Sequence, residues 1–308
     1  MWFKNLFLYR FTQPFSLSAD MLDEKISAKT FQPVDKFSLS STGWTEPLGH
    51  EGEQLVHTSN GYMMICLRKE EKILPPAAVR EILDARALEI EQKENRKIRG
   101  KERSVLRDEV LLDMMPRAFT KNSRIFAYID AKGGWLVVDA ASVGKADEFV
   151  ATLRESLEHL HVTPLAMAND PSVIMTSWLS EGRVAADFEI EDECELRDPA
   201  EDGAIVRVRK HDLGSDEIRT HLNAGKVVTR LALTYDERIS FVLDSSMALK
   251  RLKFLDLILD EAGEIDTEST AARFDGDFSI MTLELSRFFL HLLDALGGEA
   301  EERQLDAA

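Results

Sequence analysis

Two stretches of the chain pass through the same kinds of segment in the same order, and a repeat of that size restricts the fold to one assembled from two related halves. The first runs from the strand-like FKNLFLYRF through the helical SADMLDEKISAKT, then FQPV and STGW, which ends at Trp44. It continues with the strands QLVHTS and GYMMICLRK and a helix opened by Pro75 and Pro76. The second runs from GWLVVDA through SVGKADEFVATLRESLEHL, VTPL and MTSW, which ends at Trp178, to FEIEDECELRD, AIVRVRK and a helix opened by GSDEIRTHL. Arg68-Lys69 and Arg209-Lys210 close corresponding strands, and each half then reaches a further strand, RIFAYID or RISFVLD. A tandem duplication accounts for this order. It predicts an α+β chain of mixed antiparallel sheets and helices, pseudo-symmetric and elongated or curved.

The division that follows places a first α/β repeat at 1–75 and its end at 117–133, with a second repeat at 134–308 that closes in acidic helices. Between the two parts of the first repeat lies an insertion, 76–116. Its few β-branched residues, and Val79, Ile82, Leu83 and Leu88 at near-helical spacing, predict a helix. Gly100 interrupts it. A second apolar set, Val105, Leu106, Val110, Leu111 and Met114, precedes the stop at Pro116. Two helices joined near Gly100 form a hairpin whose turn carries Arg96, Lys97, Arg99, Lys101 and Arg103.

The stretch KENRKIRGKERSVLR, Lys93 to Arg107, holds seven Lys or Arg against two Glu in a chain of formal net charge -17. Basic residues recur in PRAFTKNSR, RVRK, AGKVVTR and ALKRLKF, whereas DFEIEDECELRDPAED, Asp187 to Asp202, has nine acidic residues against one Arg. From Leu255 onward fourteen acidic residues face three basic ones. Such sorting predicts one basic surface suited to a polyanion and an acidic remainder that repels it. The plainer alternative is that the basic residues are solvated helix ends paired with Glu91, Glu94 and Glu102.

Several chemistries lose support. The chain has no Walker A loop, GxGxxG, GxSxG or HExxH pattern, and AKGGW and ALGGE read as turns or caps. Cys66 and Cys194 form no disulfide framework, and the HLH pair of His159 and His161 lacks further ligands at metal-binding spacing. FDGDF offers Asp275 and Asp277 as carboxylates for a magnesium-dependent nuclease, but a turn between segments is the simpler reading. No apolar run reaches membrane-spanning length, and MWFKNLFLYRF reads as a first strand, which predicts a cytoplasmic protein without cofactor or metal.

Beyond these patterns, MWFKNLFLYR, NGYMMICLRKEEKILP, DEVLLDMMPRAF, AGKVVTRLAL, LKRLKF, RFDGDF and LLDALGGE follow one another in an order that resembles the bacterial recombination-associated protein family RdgC. The resemblance covers nearly the whole chain. It implies a DNA-binding protein of the nucleoid, without enzymatic activity, that limits RecA-driven strand exchange. It further implies an open, curved monomer and a two-fold homodimer closed into a ring around double-stranded DNA, with single-stranded DNA as a further form. On that resemblance Phe119 in PRAF is the ring-closing aromatic. The DNA-binding residues are Arg117 in the same motif, Lys210 in RVRK, Lys226 in AGKVV and Lys250 in LKRLK. Arg96 is carried over on the basic character of its stretch alone. Two other function classes stay open at this point: a protein-interaction module that inhibits a recombination factor through DNA mimicry by its acidic surfaces, and the metal-dependent nuclease.

Overall fold

The structure is a computed structural model and describes residues 1–200, 203–263 and 269–300. The chain forms β1 (Leu6–Phe11), α1 (Ala19–Ser27), β2 (Ser40–Thr45), β3 (Val56–Ser59) and β4 (Tyr62–Lys72), then the helices α2 (Pro76–Glu94) and α3 (Lys101–Met114). After a 3-10 turn at Met115–Arg117 come β5 (Thr120–Asp130), β6 (Trp135–Asp139), α4 (Val143–Leu157), β7 (Val162–Pro164) and α5 (Pro171–Glu181). The remainder comprises β8 (Phe188–Arg197), β9 (Ile205–Arg209), α6 (Asp216–Asn223), β10 (Val227–Tyr235), β11 (Ile239–Asp244), β12 (Leu249–Phe254), α7 (Asp256–Gly263) and α8 (Thr270–Ala295).

All twelve strands join one sheet, in the order β2-β4-β5-β6-β1-β12-β11-β10-β8-β9, with β3 on β4 and β7 on β1. Every strand pair in it is antiparallel. Two meanders meet at a narrow seam between β1 and β12, where Leu6 pairs with Leu249 and the Leu252 N–H donates to the Lys4 carbonyl at 2.8 Å.

The α+β class and the antiparallel sheet agree with the sequence, but the repeat does not carry through in detail. STGW lies in β2, whereas MTSW lies inside α5. Gly43 of STGW is held to its residue type by a close approach: a Cβ there would sit 2.5 Å from the Phe31 Cα. The boundary drawn at 133/134 falls in the turn between β5 and β6, whose strands are hydrogen-bonded neighbours from Phe126↔Asp139 to Asp130↔Trp135.

Helix coverage divides the sheet's two faces unequally. On one face, α5, α6 and α8 pack over both meanders, and Phe278, Met281, Leu285, Phe288, Phe289 and Leu292 of α8 join the largest core. With 26 residues α8 is about 39 Å long, enough to span that core. On the other face, α1 and α4 cover only the first meander. Leu22 and Ile26, with Ala146, Phe149, Val150, Leu153 and Leu157 at helical spacing, form the second core there. Trp44 is fully buried in it, edge-on to Phe149 at 5.4 Å, and its Nε1 donates to Ser156 Oγ at 2.9 Å. Above β8 to β12 this second face has no helix on it among the described residues, because the buried apolar residues of α5 to α8 all belong to the opposite core.

The inserted helical hairpin forms as expected, with its own small core of Leu83, Ala87, Ile98 and Leu106. Asn95 and Gly100 take positive φ at the reversal, at 50° and 56°. Leu88 and Val105, both counted as core by their spacing, are exposed instead, and Ala87 takes the buried position. Two helices bury only the stripes that face each other, and Ala87 allows the closer approach.

Candidate nucleic-acid interface

The uncovered half of the sheet is built by alternation. In β8, FEIEDECELR, the residues Phe188, Cys194 and Leu196 turn into the core, which sends Glu189, Glu191, Glu193 and Glu195 to the open face. In β9 the same period puts Val206 and Val208 against the core and Arg207 and Arg209 outside. β12 departs from strict alternation: Ser240↔Lys253 and Val242↔Lys250 enclose a bulge, and Arg251 sits at φ 52°. The extra residue lets two consecutive cations, Lys250 and Arg251, share the open face.

Cross-strand ion pairs tie this face together. Arg207 donates to Glu195 at 2.7 Å, Arg230 to Asp244 at 2.7 Å with Glu195 at 3.6 Å, and Arg251 lies 2.6 Å and Arg209 3.4 Å from Glu193. Burial pushes Glu195 up, but hydrogen bonds from Arg207 and Thr229, with the charge of Arg230, hold its carboxyl below the usual range. The segregation of charge expected from the sequence is therefore corrected: the acidic run of β8 and the basic residues of β9, β10 and β12 interleave. Neighbours in a sheet are set by register, and segments far apart in sequence become cross-strand partners.

Lys250 projects from β12 with its Nζ 3.9 Å from the centre of the Phe7 ring, at the seam of the two meanders. Burial lowers its pKa, while Asp244 and Asp139 pull it up and Arg230 pushes it down. Lys226 precedes β10 in the turn after α6, where Gly225 at φ 85° redirects the chain. Lys210 is exposed at the end of β9 with φ 53° and lines a shallow depression with Glu191, Asp192, His211 and Asp212. These three lysines thus share the second meander.

Arg96 and Arg117 lie elsewhere, on the helical hairpin. Arg96 is at its turn, chelated by Glu102 at 2.6 Å and Glu94 at 2.6 Å, so the plainer reading of paired helix ends holds for this residue. Arg117 is exposed in the 3-10 turn at the hairpin's base. The length of α3 separates the two by about 20 Å.

Phe119, just before β5, has 84% of its surface exposed, so it caps no core of its own chain. Its carbonyl accepts the Ile73 N–H at 2.7 Å, and the Leu39 carbonyl accepts the Lys72 N–H at 2.8 Å. Leu39 and Ile73 are also exposed, so three large apolar side chains gather at one end of β2, β4 and β5.

The carboxylates suspected of metal chemistry do not converge. FDGDF is part of α8 and not a turn, and residues two apart on a helix project about 200° apart. Asp275 accepts His57 Nε2 at 3.1 Å, while Asp277 holds the Met1 ammonium at 2.5 Å. Among the described residues no group of three or more His, Cys, Asp or Glu is placed to hold a metal ion. Burial pushes the Cys66 thiol up to about 12 and Cys194 to about 11, so neither is a poised nucleophile. No helix described is long and apolar enough to cross a membrane.

The sequence had marked Arg207, Arg209, Arg230 and Arg251 as basic but did not reveal the carboxylates beneath them. The odd-numbered glutamates of FEIEDECELR, sharing one strand face, were the available signal.

Comparison with known proteins agrees with this architecture along its length. A family model described as "Putative exonuclease, RdgC" matches residues 1–299. The recombination-associated protein RdgC of Aeromonas hydrophila is 44% identical over 301 residues, covering 98% of this chain and 99% of its own. Its counterparts in Salmonella paratyphi B and Salmonella typhimurium are 42% identical over 301 residues, with the same coverage. A match of this extent places the chain in the RdgC family of recombination-associated proteins.

Proposed function

We propose that this protein binds duplex DNA without reading its sequence, as a nucleoid-associated homodimer closed into a ring, and limits RecA-driven strand exchange without doing chemistry on the DNA. The observation that carries this reading is the half of the sheet without a helix among the described residues, where Lys250, Arg207, Arg209, Arg230 and Arg251 project from three strands, β9, β10 and β12. A broad surface of guanidinium and ammonium groups meets phosphates, and the sheet half that carries them has no helix among the described residues to present side chains to base edges. The exposed cluster of Phe119, Ile73 and Leu39 supports self-association. Enclosure would then add topology to affinity, because release from a closed circle requires an interface to open. The decisive experiment measures affinity across a salt series on linear and on closed-circular duplex. Log K should fall by about 0.9 per log salt for each phosphate neutralised, and salt-resistant retention should be confined to circles. Binding indifferent to salt would sink the reading.

Reversing both Lys210→Glu and Lys226→Glu should weaken binding to all duplexes alike and flatten the salt slope by roughly two phosphates' worth, about 1.8. Filter binding on unrelated sequences at several salt concentrations checks this. Unchanged affinity would remove both lysines from the surface.

Mimicry of DNA by the acidic run is less well supported, because its Glu193 and Glu195 are already occupied by arginines. A nuclease would need carboxylates converging on a metal, and Asp275 and Asp277 diverge. Incubation with magnesium or manganese should therefore leave single- and double-stranded DNA intact. Cleavage abolished by Asp275→Asn together with Asp277→Asn would establish the opposite.

A further inference from the structure

We infer that Glu193 and Glu195 set how tightly the open sheet face holds a phosphate backbone, by occupying in the unbound chain the guanidinium donors that the backbone would use. The inference rests on the proposed DNA binding. It concerns two residues of β8 that belong, by sequence, to the most acidic stretch of the chain.

The geometry is layered. The side chains of Glu195 and Glu193 are 12% and 21% exposed, whereas Arg207, Arg209, Arg230 and Arg251 above them are 63%, 69%, 50% and 51% exposed. An approaching anion meets the cations first and the carboxylates through them. Arginines from β9, β10 and β12 converge on these two acids, so each acid serves more than one guanidinium. Glu195 takes Arg207 and Arg230, and Glu193 takes Arg209 and Arg251. Asp244, 17% exposed, holds Arg230 from the other side.

The charge balance follows directly. Four guanidiniums stand over three carboxylates, Glu193, Glu195 and Asp244, which leaves a local excess of one positive charge. Each guanidinium has five N–H donors, so a phosphate can still bind an arginine that keeps its glutamate. It does so against the field of an anion a few ångströms behind the guanidinium, in a partly desolvated layer where that repulsion is poorly screened. The face would therefore release fewer counterions than its count of arginines implies.

The test is the isosteric pair Glu193→Gln and Glu195→Gln, which keeps one side-chain oxygen for Arg251 and one for Arg207, turns an amide N–H toward the Thr229 hydroxyl, and removes two negative charges. The comparison is Asp260→Asn on α7 with Asp294→Asn on α8, an equal change of net charge at exposed positions of helices that pack on the other face of the sheet. Affinity for one linear duplex is measured from 50 mM to 400 mM salt. The β8 pair should bind about tenfold to a hundredfold tighter near 0.1 M salt and steepen the slope by up to about 1.8, with little change for the α7–α8 pair. If the double variant melts before the assay temperature, Glu193→Gln alone decides, with about half the added slope expected. Affinity that stays level or falls in a folded variant overturns the inference, since the carboxylates would then be organising the arginines. Equal tightening by the α7–α8 pair also overturns it, in favour of net charge alone. Absence of DNA binding by the unmodified chain and all variants overturns the proposed function together with it, which separates the two failures.

Discussion

Phe119→Ser should leave a chain that folds and melts as before but no longer forms a stable dimer and loses most of its hold on closed-circular DNA. The monomer gives up almost nothing, because 84% of this side chain already faces solvent and the contact that its backbone makes, accepting the Ile73 N–H, does not depend on the ring. An assembly would give up much more. A buried aromatic anchor at an interface contributes about 2 kcal/mol or more, and two-fold symmetry uses the contact twice. Equilibrium sedimentation reads the dimer, thermal denaturation reads the fold, and retention on circular against linear duplex reads the ring. A variant that stays dimeric and binds as before would place the interface elsewhere, and one that unfolds would contradict the exposure of this residue.

The opposite behaviour is expected of Phe288→Ala. This ring of α8 is fully buried, with Phe241 at 4.9 Å, Tyr235 at 5.3 Å, Phe289 at 5.8 Å and Phe188 at 6.4 Å between ring centres. It joins β8, β10 and β11 to the helix that spans the largest core. Truncation removes the ring's transfer free energy and leaves a cavity that four rings cannot all collapse into, a loss of about 3 to 5 kcal/mol. Against a typical total of about 5 to 15 kcal/mol, that is a large fraction of the fold's stability. Denaturant titration should show the midpoint falling, with DNA binding lost only as the folded population is lost. A change below about 1 kcal/mol would mean that α8 repacks freely over the sheet.

Two phenylalanines of the same chain thus have opposite expected roles, and their local sequences do not separate them well. SRFFLHLL puts Phe288 in a run apolar enough to predict burial. PRAFTKNS puts Phe119 between a helix stop and a polar strand, where the letters alone favour capping its own core and only the family resemblance points to a partner. Its exposure follows from the path of β2, β4 and β5 beside it. Those strands end there with Leu39 and Ile73 also uncovered.

What the sequence determined by itself is what neighbouring residues settle. Helical spacing in SVGKADEFVATLRESL, alternation in FEIEDECELR, the breaks at Gly100 and Pro116 and the family motifs led to the α+β class, the helical hairpin and the RdgC family. These patterns depend on periods of two and 3.6 residues, which are read within one segment. Tertiary structure alone decided the rest. Cross-strand register brought Glu193 and Glu195 beneath arginines of β9, β10 and β12 and so mixed charges that lie in separate stretches of the chain. A bulge turned Arg251 to the same side as Lys250. The helix bearing FDGDF pointed Asp275 and Asp277 apart, and MTSW joined a helix where STGW had formed a strand. Above all, α1 and α4 cover one half of a sheet face, while the other half carries no helix among the described residues. Which face a helix covers is settled by contacts between separate elements, among them α1 with β3 and α4 and α4 with β5 and β6, and no local period encodes that choice.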